Sequence, residues 1–368
     1  MKPLAALFLL AVLALGLFGC DVDLVDIELP SEERETGRLR TREPRDVFSD
    51  DEWFEIFFTN PSCPPEKERV GGIDEIIAAD LLQAQTSVDI AAFDLDALPI
   101  VEALIALESR DIPVRVVTDD GGTDASTTNR LRRNGISVVE DRRNAFMHNK
   151  FIVIDERIVW TGSLNYTSNG AYCNNNNAVR FDVPELAANY RTEMDEMYVQ
   201  RQFGPGSPDN TPYPQVFVNG VLVETYFAPE ERIAPVIASA IATAREEILF
   251  LAFSFTEEQI GEALLARAQD GIAVRGVFEA TGADSPFSYY ERLLLARLPN
   301  LEVRKDGNRR IMHHKVLIVD RELVIFGSFN FSSSANESND ENVVMVYDPE
   351  FASYFVEEFG FVWDEARS

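Results

Sequence analysis

His148, Lys150 and Asn165 lie in the stretch MHNKFIVIDERIVWTGSLN (147–165), and His313, Lys315 and Asn330 in MHHKVLIVDRELVIFGSFN (312–330). The two stretches are identical at eight of nineteen positions, and each reads His-x-Lys, four apolar residues, Asp, six residues, then Gly-Ser-x-Asn. All three histidines of the chain fall in these stretches, and so do two of its five lysines. Imidazoles exchange protons near neutral pH and form covalent intermediates, while lysines and amides supply the charge and donors that hold a phosphate. A lysine beside a buried strand is costly unless an anion pairs with it. One histidine on an apolar strand is ordinarily structural. Two copies of the same constellation point to one phosphate-handling pocket.

The elements that must position these groups are strands. Residues 151–154 and 316–319 are apolar and read as buried strands. Side chains two apart share a face, so His148 points with Lys150 and His313 with Lys315. Asp155 and Asp320 are expected to cap the turn at the strand end, with a part in proton transfer as the alternative. A second short strand follows in each copy (158–160, 323–326), and Gly-Ser-x-Asn ends it. That places Ser163 and Asn165, and Ser328 and Asn330, to join the patch; the serines either bond a phosphate or terminate the strand.

The repeat extends beyond the motifs. Residues 87–124 align with 247–284 at a constant offset of 160, and each copy reads strand, helix, strand. The apolar runs 90–93 and 248–253, the helically spaced Ile100, Ala103, Leu104 and Leu107, and the strand 113–117 carry this pattern. Strands alternating with helices imply a layered α/β domain in each half. The Pro- and Gly-rich segment 203–215 is expected to link a first domain, 51–202, to a second, 216–368. A pseudo-twofold axis would bring the two motif surfaces together.

The paired HxKx4Dx6GSxN motifs resemble those of the phospholipase D superfamily, whose members include phospholipases, cardiolipin synthases and endonucleases. The resemblance covers the chain from about Phe57 onward. It implies two tandem α/β/α sandwich domains with the active site between them, and a phosphohistidine intermediate with no cofactor and no metal. It further implies His148 as nucleophile, His313 as general acid, and Lys150, Lys315, Asn165 and Asn330 around the nonbridging oxygens. Eleven residues beyond the motif Asn the family often has a carboxylate that orients the histidine; the second copy has Glu341 there, the first Asn176. The expectation is that Glu341 helps His313 hold its proton better than His148 does. Arg142 and Arg143, and Arg309 and Arg310, flank the motifs and are expected to form a basic rim, with Arg143 and Arg310 touching substrate.

Composition and the N-terminus bound the substrate. A formal charge of −29 and a pI near 4.4 oppose nonspecific binding of long nucleic acid unless positive charge is concentrated locally. Residues 1–19 have the layout of a secretory signal, and Leu17-Phe18-Gly19-Cys20 resembles a bacterial lipoprotein processing box, with Cys20 lipidated. A plain signal or an uncleaved anchor is the alternative. Residues 20–50 are charged and aperiodic, which suits a membrane tether. Cys63 and Cys173 then remain, either as a disulfide or as two buried thiols. No group of His, Cys and carboxylates has metal-ligand spacing. The expected protein is an exported, membrane-anchored hydrolase of a phospholipid phosphodiester. An endonuclease with nucleic acid as substrate, a cardiolipin-synthase-like phosphatidyl transferase and a noncatalytic envelope lipoprotein are the alternatives.

Overall fold

The computed structural model describes residues 53–367, which belong to one compact unit. The expected signal, tether and Cys20 lie outside the described residues. The chain builds two sheets. The first has seven strands in the order β1 (Phe54–Phe58), β7 (Asn177–Asp182), β6 (Ile158–Gly162), β5 (Lys150–Ile154), β2 (Val88–Ala92), β3 (Val114–Asp119) and β4 (Ser137–Asp141). The second has eight, in the order β12 (Leu301–Lys305), β11 (Ala273–Phe278), β10 (Glu247–Ala252), β13 (Lys315–Val319), β14 (Leu323–Gly327), β15 (Glu341–Tyr347), β9 (Val221–Ala228) and β8 (Gln215–Val218).

Both sheets are mixed, with β2, β3 and β4 parallel and β5, β6 and β7 antiparallel, and likewise for their counterparts. The motif strands β5 and β13 lie centrally and are buried at every residue, which is why their sequences KFIVI and KVLIV are continuous rather than alternating.

Helices cover the faces. On the outer face of the first sheet, α1 (Ile73–Leu81), α2 (Leu98–Glu108) and α3 (Ala125–Arg133) pack on Val88, Ile90, Val116 and Ile152. A short α4 (Ser168–Tyr172) follows the first motif. On the outer face of the second sheet lie α6 (Ile233–Ala242), α7 (Glu258–Gln269), the short α8 (Ala280–Ala283), α9 (Tyr289–Leu295) and α10 (Ser333–Glu337). The remaining helices, α5 (Pro184–Asp195) and α11 (Pro349–Glu365), join the inner faces of both sheets in one continuous apolar core, where Tyr190 meets Phe227, and Phe351 meets Phe181 and Phe326. The inner layer is therefore shared between the halves. α11 begins with Asp348, whose carboxylate caps the Glu350 amide, and with Pro349 in its first turn, the ordinary start of a helix.

Three features rigidify this frame. Cys63 and Cys173 are disulfide-bonded across 110 residues, tying the segment after β1 to the end of α4. Asp155 accepts from the amides of Gln85, Thr86 and Ser87, and Asp320 from those of Arg245, Glu246 and Glu247. Both residues open three-residue hairpin loops whose first two positions have positive φ, so the motif aspartates are fixed at the far end of their strands from the histidines. The linker is pinned as well: the Gly204 amide donates to Asp340, and a Cβ on Gly204 would meet Arg143 Nη1 at 1.9 Å.

Candidate active site

The histidines stand just before β5 and β13, and the strand pairing sets their height. His148 N donates to the carbonyl of Asp340 in the second half, and His313 N to that of Asn175 in the first, each at 2.9 Å. Each copy of the motif is thus stitched to the other half. The glycines of Gly-Ser-x-Asn permit a second close approach: a Cβ on Gly162 would lie 2.5 Å from the Asn177 carbonyl, and one on Gly327 2.2 Å from that of Asn342. Their φ values of 146° and 152° also suit glycine.

The imidazoles are backed across the pseudo-twofold. His148 Nδ1 lies 2.7 Å from Glu341 Oε2. His313 Nδ1 lies 2.9 Å from Asn176 Oδ1 and 3.0 Å from the Ser163 carbonyl. The expectation that Glu341 serves the histidine of its own copy is corrected: Glu341 serves His148. The cause is the bridge between the sheets, Met147 with Asp340, which sets the start of β15 beside the opposite motif. Asn176 is oriented by its Nδ2, which donates to the Gly170 carbonyl at 3.0 Å, so its Oδ1 faces His313 as an acceptor. His313 Nδ1 consequently carries the hydrogen, which leaves Nε2 for proton transfer.

The serines do not face substrate. Ser328 Oγ donates to Glu341 Oε2 at 2.7 Å and accepts from the Asn342 amide; Ser163 Oγ donates to Asn176 Oδ1 at 2.9 Å and accepts from the Asn177 amide. Both are fully buried. They hold the groups that hold the histidines, which corrects their assignment as substrate-binding residues.

Lys150 and Lys315 are almost wholly buried, and each Nζ donates to the carbonyl of the histidine two residues earlier at 2.8 Å. Each also lies over an aromatic face, Lys150 over Phe93 at 5.0 Å and Lys315 over Phe253 at 4.6 Å. The same rings meet the imidazole edges of His148 and His313. Phe93 and Phe253 end matching strands in the aligned segments, a signal that could have marked them. Asn165 and Asn330 follow β6 and β14, and each keeps its Oδ1 buried without a hydrogen-bond partner.

Burial and crowded positive charge govern the electrostatics. Desolvation, then Lys150 and Lys315, hold His148 well below its ordinary range; desolvation, then both lysines and His148, do the same to His313. Burial lowers Lys150 to about 7 against the pull of Glu341, Asp94 and Asp119, and lowers Lys315 as well. Burial raises Glu341 to about 7. The four basic groups act on one another, so both motifs converge on one patch that an anion entering between the lysines would relieve.

The expected arginine rim is one-sided. Arg143 is engaged by Asp141 and by the buried Asp340, and stacks on Phe203; Arg142 pairs with Glu140. Arg143 is therefore a staple between the halves and the linker, which corrects its place as a substrate ligand. Arg310 and Arg309 are exposed.

Beneath the histidines lies a second buried layer that sequence reasoning missed. Asn149 Nδ2 donates to Glu193 Oε1 at 2.9 Å, and Asn342 Nδ2 donates to Asn149 Oδ1 at 2.8 Å. In the other half, His314 lies 2.9 Å from Asn177 and 3.2 Å from Glu358. All these pairs repeat at the motif offset of 165 residues, so an alignment extended past Gly-Ser-x-Asn would have exposed them. Sequence reading also saw no group with metal-ligand spacing. The fold nevertheless brings Glu193, Glu196 and Glu230 together, with oxygens within 4.8 Å of one another.

The fold and paired motifs define a phospholipase D-type chain. The family model described as "Cardiolipin synthase, PLD-like domain" matches residues 77–198 and 237–363, and the chain belongs to this family within the phospholipase D superfamily. Mouse mitochondrial cardiolipin hydrolase is 34% identical over 126 residues, 34% of this chain and 56% of that protein. Phospholipase D of Rickettsia bellii (strain RML369-C) is 34% identical over 135 residues, 37% of this chain and 66% of that protein. The chain thus spans between about half and two thirds of these curated relatives. Phosphatidylserine synthase from Haemophilus influenzae Rd KW20 superposes with a TM-score of 0.63 over 86% of this chain and 87% of its own, at 12% identity, a likeness of fold alone.

Proposed function

We propose that the chain hydrolyses a phospholipid phosphodiester in two steps through a phosphohistidine on His148. The observation that carries this reading is the contact of Glu341 with His148 Nδ1 across the two halves. A carboxylate there fixes Nδ1 as the protonated nitrogen, turns the Nε2 lone pair to the substrate and offsets the positive charge the ring gains on bonding phosphorus. Lys150, Lys315, Asn165 and Asn330 surround the nonbridging oxygens and stabilise charge growing on them. As the N–P bond forms and the P–O bond to the leaving alcohol breaks, His313 Nε2–H gives its proton to that alcohol. Water then gives a proton to His313 and its oxygen to phosphorus, which releases His148. His313 acquires its proton with the substrate, because the bound anion opposes the burial and the lysine charge that keep the empty ring neutral.

Phospholipid is favoured by the names of the two relatives and by an overall charge that opposes long polyanions. The exported, lipid-anchored location through Cys20 is part of the same reading. Its check is retention in the membrane fraction and release by Cys20→Ser.

The test of function is hydrolysis of labelled phospholipid vesicles and, in parallel, of single-stranded nucleic acid, by the full chain and by His148→Ala and His313→Ala. Lipid cleavage lost in both variants supports the reading. Cleavage of nucleic acid alone replaces the substrate class, and undiminished turnover in both variants removes the catalytic assignment. With an activated p-nitrophenyl phosphodiester, whose leaving group needs no acid, His313→Ala should still accumulate a covalent adduct and His148→Ala should not.

A further inference from the structure

The acids behind the first motif break the pseudo-symmetry of the second layer. In the second half Glu358 faces the imidazole of His314, with Oε1 3.2 Å from Nε2. In the first half the corresponding Glu193 faces Asn149, a neutral amide, and two more acids join it. Glu196, three residues on and so on the same helical face, occupies the position where the second half has Phe361. It is 2% exposed, and its Oε2 is buried with no hydrogen-bond partner. Glu230 reaches in from the segment between β9 and α6 and is partly exposed, which leaves a route from solvent. The strongest charged neighbours of Glu193 are Glu230, Asp340 and Glu196, all acidic, and Asp340 is already committed to Arg143. Three desolvated carboxylates with no basic partner among the described residues call for a cation or for protons.

We propose that Glu193, Glu196 and Glu230 form a binding site for a divalent cation of the calcium class at the junction of the two halves. The donor set is all carboxylate oxygen, which suits a hard cation. Oxygens within 4.8 Å of one another are close enough to share one ion at calcium's bond length of about 2.4 Å, and calcium accepts the irregular geometry of three side chains drawn from two segments. The site stands apart from phosphoryl transfer. It bears on the reaction by fixing Glu193, which holds Asn149 between His148 and Lys150.

The experiment is calorimetric titration of the EDTA-treated, desalted full chain with CaCl2 in 0.15 M NaCl at pH 7.5, with melting temperature measured alongside. Working without substrate keeps a failure here separate from a failure of the hydrolase reading. Saturable binding near one ion per chain with a rise in Tm is expected. Glu196→Gln and Glu230→Gln should each weaken it at least tenfold. Metal-free Glu196→Gln should melt above the metal-free parent, because a buried like charge has gone. Circular dichroism establishes that each variant is folded, and the partly exposed Glu230 position serves if Glu196→Gln is not. No saturable binding of calcium, magnesium or manganese up to about 10 mM, ten times the weak end of extracellular calcium sites, overturns the proposal. So does parental affinity in the folded variants.

Discussion

Glu341, eleven residues beyond the second motif, gives its carboxylate to His148 of the first motif at 2.7 Å, while His313 receives the amide of Asn176 at 2.9 Å. The two halves exchange their supporting groups. Glu341→Gln keeps the shape and an acceptor oxygen but removes the charge that, on the proposed mechanism, offsets the positive charge His148 gains on bonding phosphorus. A fall in kcat of about 10²–10⁴-fold is expected, the range ascribed to acid–base assistance, with little change in KM. The reciprocal Asn176→Asp adds a carboxylate behind His313, raises its proton affinity and should move the pH optimum upward. A full pH–rate profile of both variants checks the pair.

The pH dependence of the parent follows from the same groups. Glu341, raised to about 7 by burial, must lose its proton to accept the Nδ1–H of His148, which gives the ascending limb. Lys150, lowered to about 7 by burial, must keep its proton to hold phosphate, which gives the descending limb. Because kcat/KM reports the free enzyme, in which His313 is held neutral, it should trace a bell whose maximum lies at or below about pH 7. A flat profile from about pH 6 to about pH 9 would remove both groups from the reaction.

Ser163 and Ser328 separate a positioning role from a binding one. Each donates its hydroxyl to Asn176 or Glu341, so alanine at either position should lower kcat about tenfold, the effect of one net hydrogen bond of ~1–1.5 kcal/mol. KM should stay near the parent value. A rise in KM at constant kcat would return the serines to the phosphate.

The disulfide closes a long segment and ends three residues before Asn176. Its removal in Cys63→Ser/Cys173→Ser should cost about 2–4 kcal/mol, read as a lower urea midpoint. Dithiothreitol should shift the parent the same way and leave the double variant unmoved.

What was legible in the sequence divides along physical lines. The His-x-Lys pairs and their strands were plain, because two buried apolar runs with charged residues at their start contradict ordinary patterning twice over. The parallel strand–helix–strand units followed from periodicity, with β2 and β10 within two residues of their expected bounds. The crossing of Glu341 to His148 was not legible, since chain order pairs Glu341 with its own motif and only the Met147–Asp340 bridge between the sheets brings it to the other. The run Asn174–Asn177 has the composition of a polar turn, yet Asn177 opens β7 and is fully buried, its polarity spent on the Ser163 and His314 contacts. Glu193 was hidden because an acid on an amphipathic helix looks solvated until the opposite sheet is placed over it.

The exchange of Glu341 and Asn176 also bears on why one chain carries both halves. In a pair of identical chains about a true twofold, both imidazoles would have the same neighbour, and neither could be told from its twin before substrate arrived. Here the connecting segment, locked by Gly204 against Asp340 and Arg143, makes the partners permanent and unequal. On the mechanism proposed above, the direction in which a substrate must lie is thereby written into the resting molecule: the phosphorus would be approached from the carboxylate-backed ring, and the alcohol would depart toward the amide-backed one.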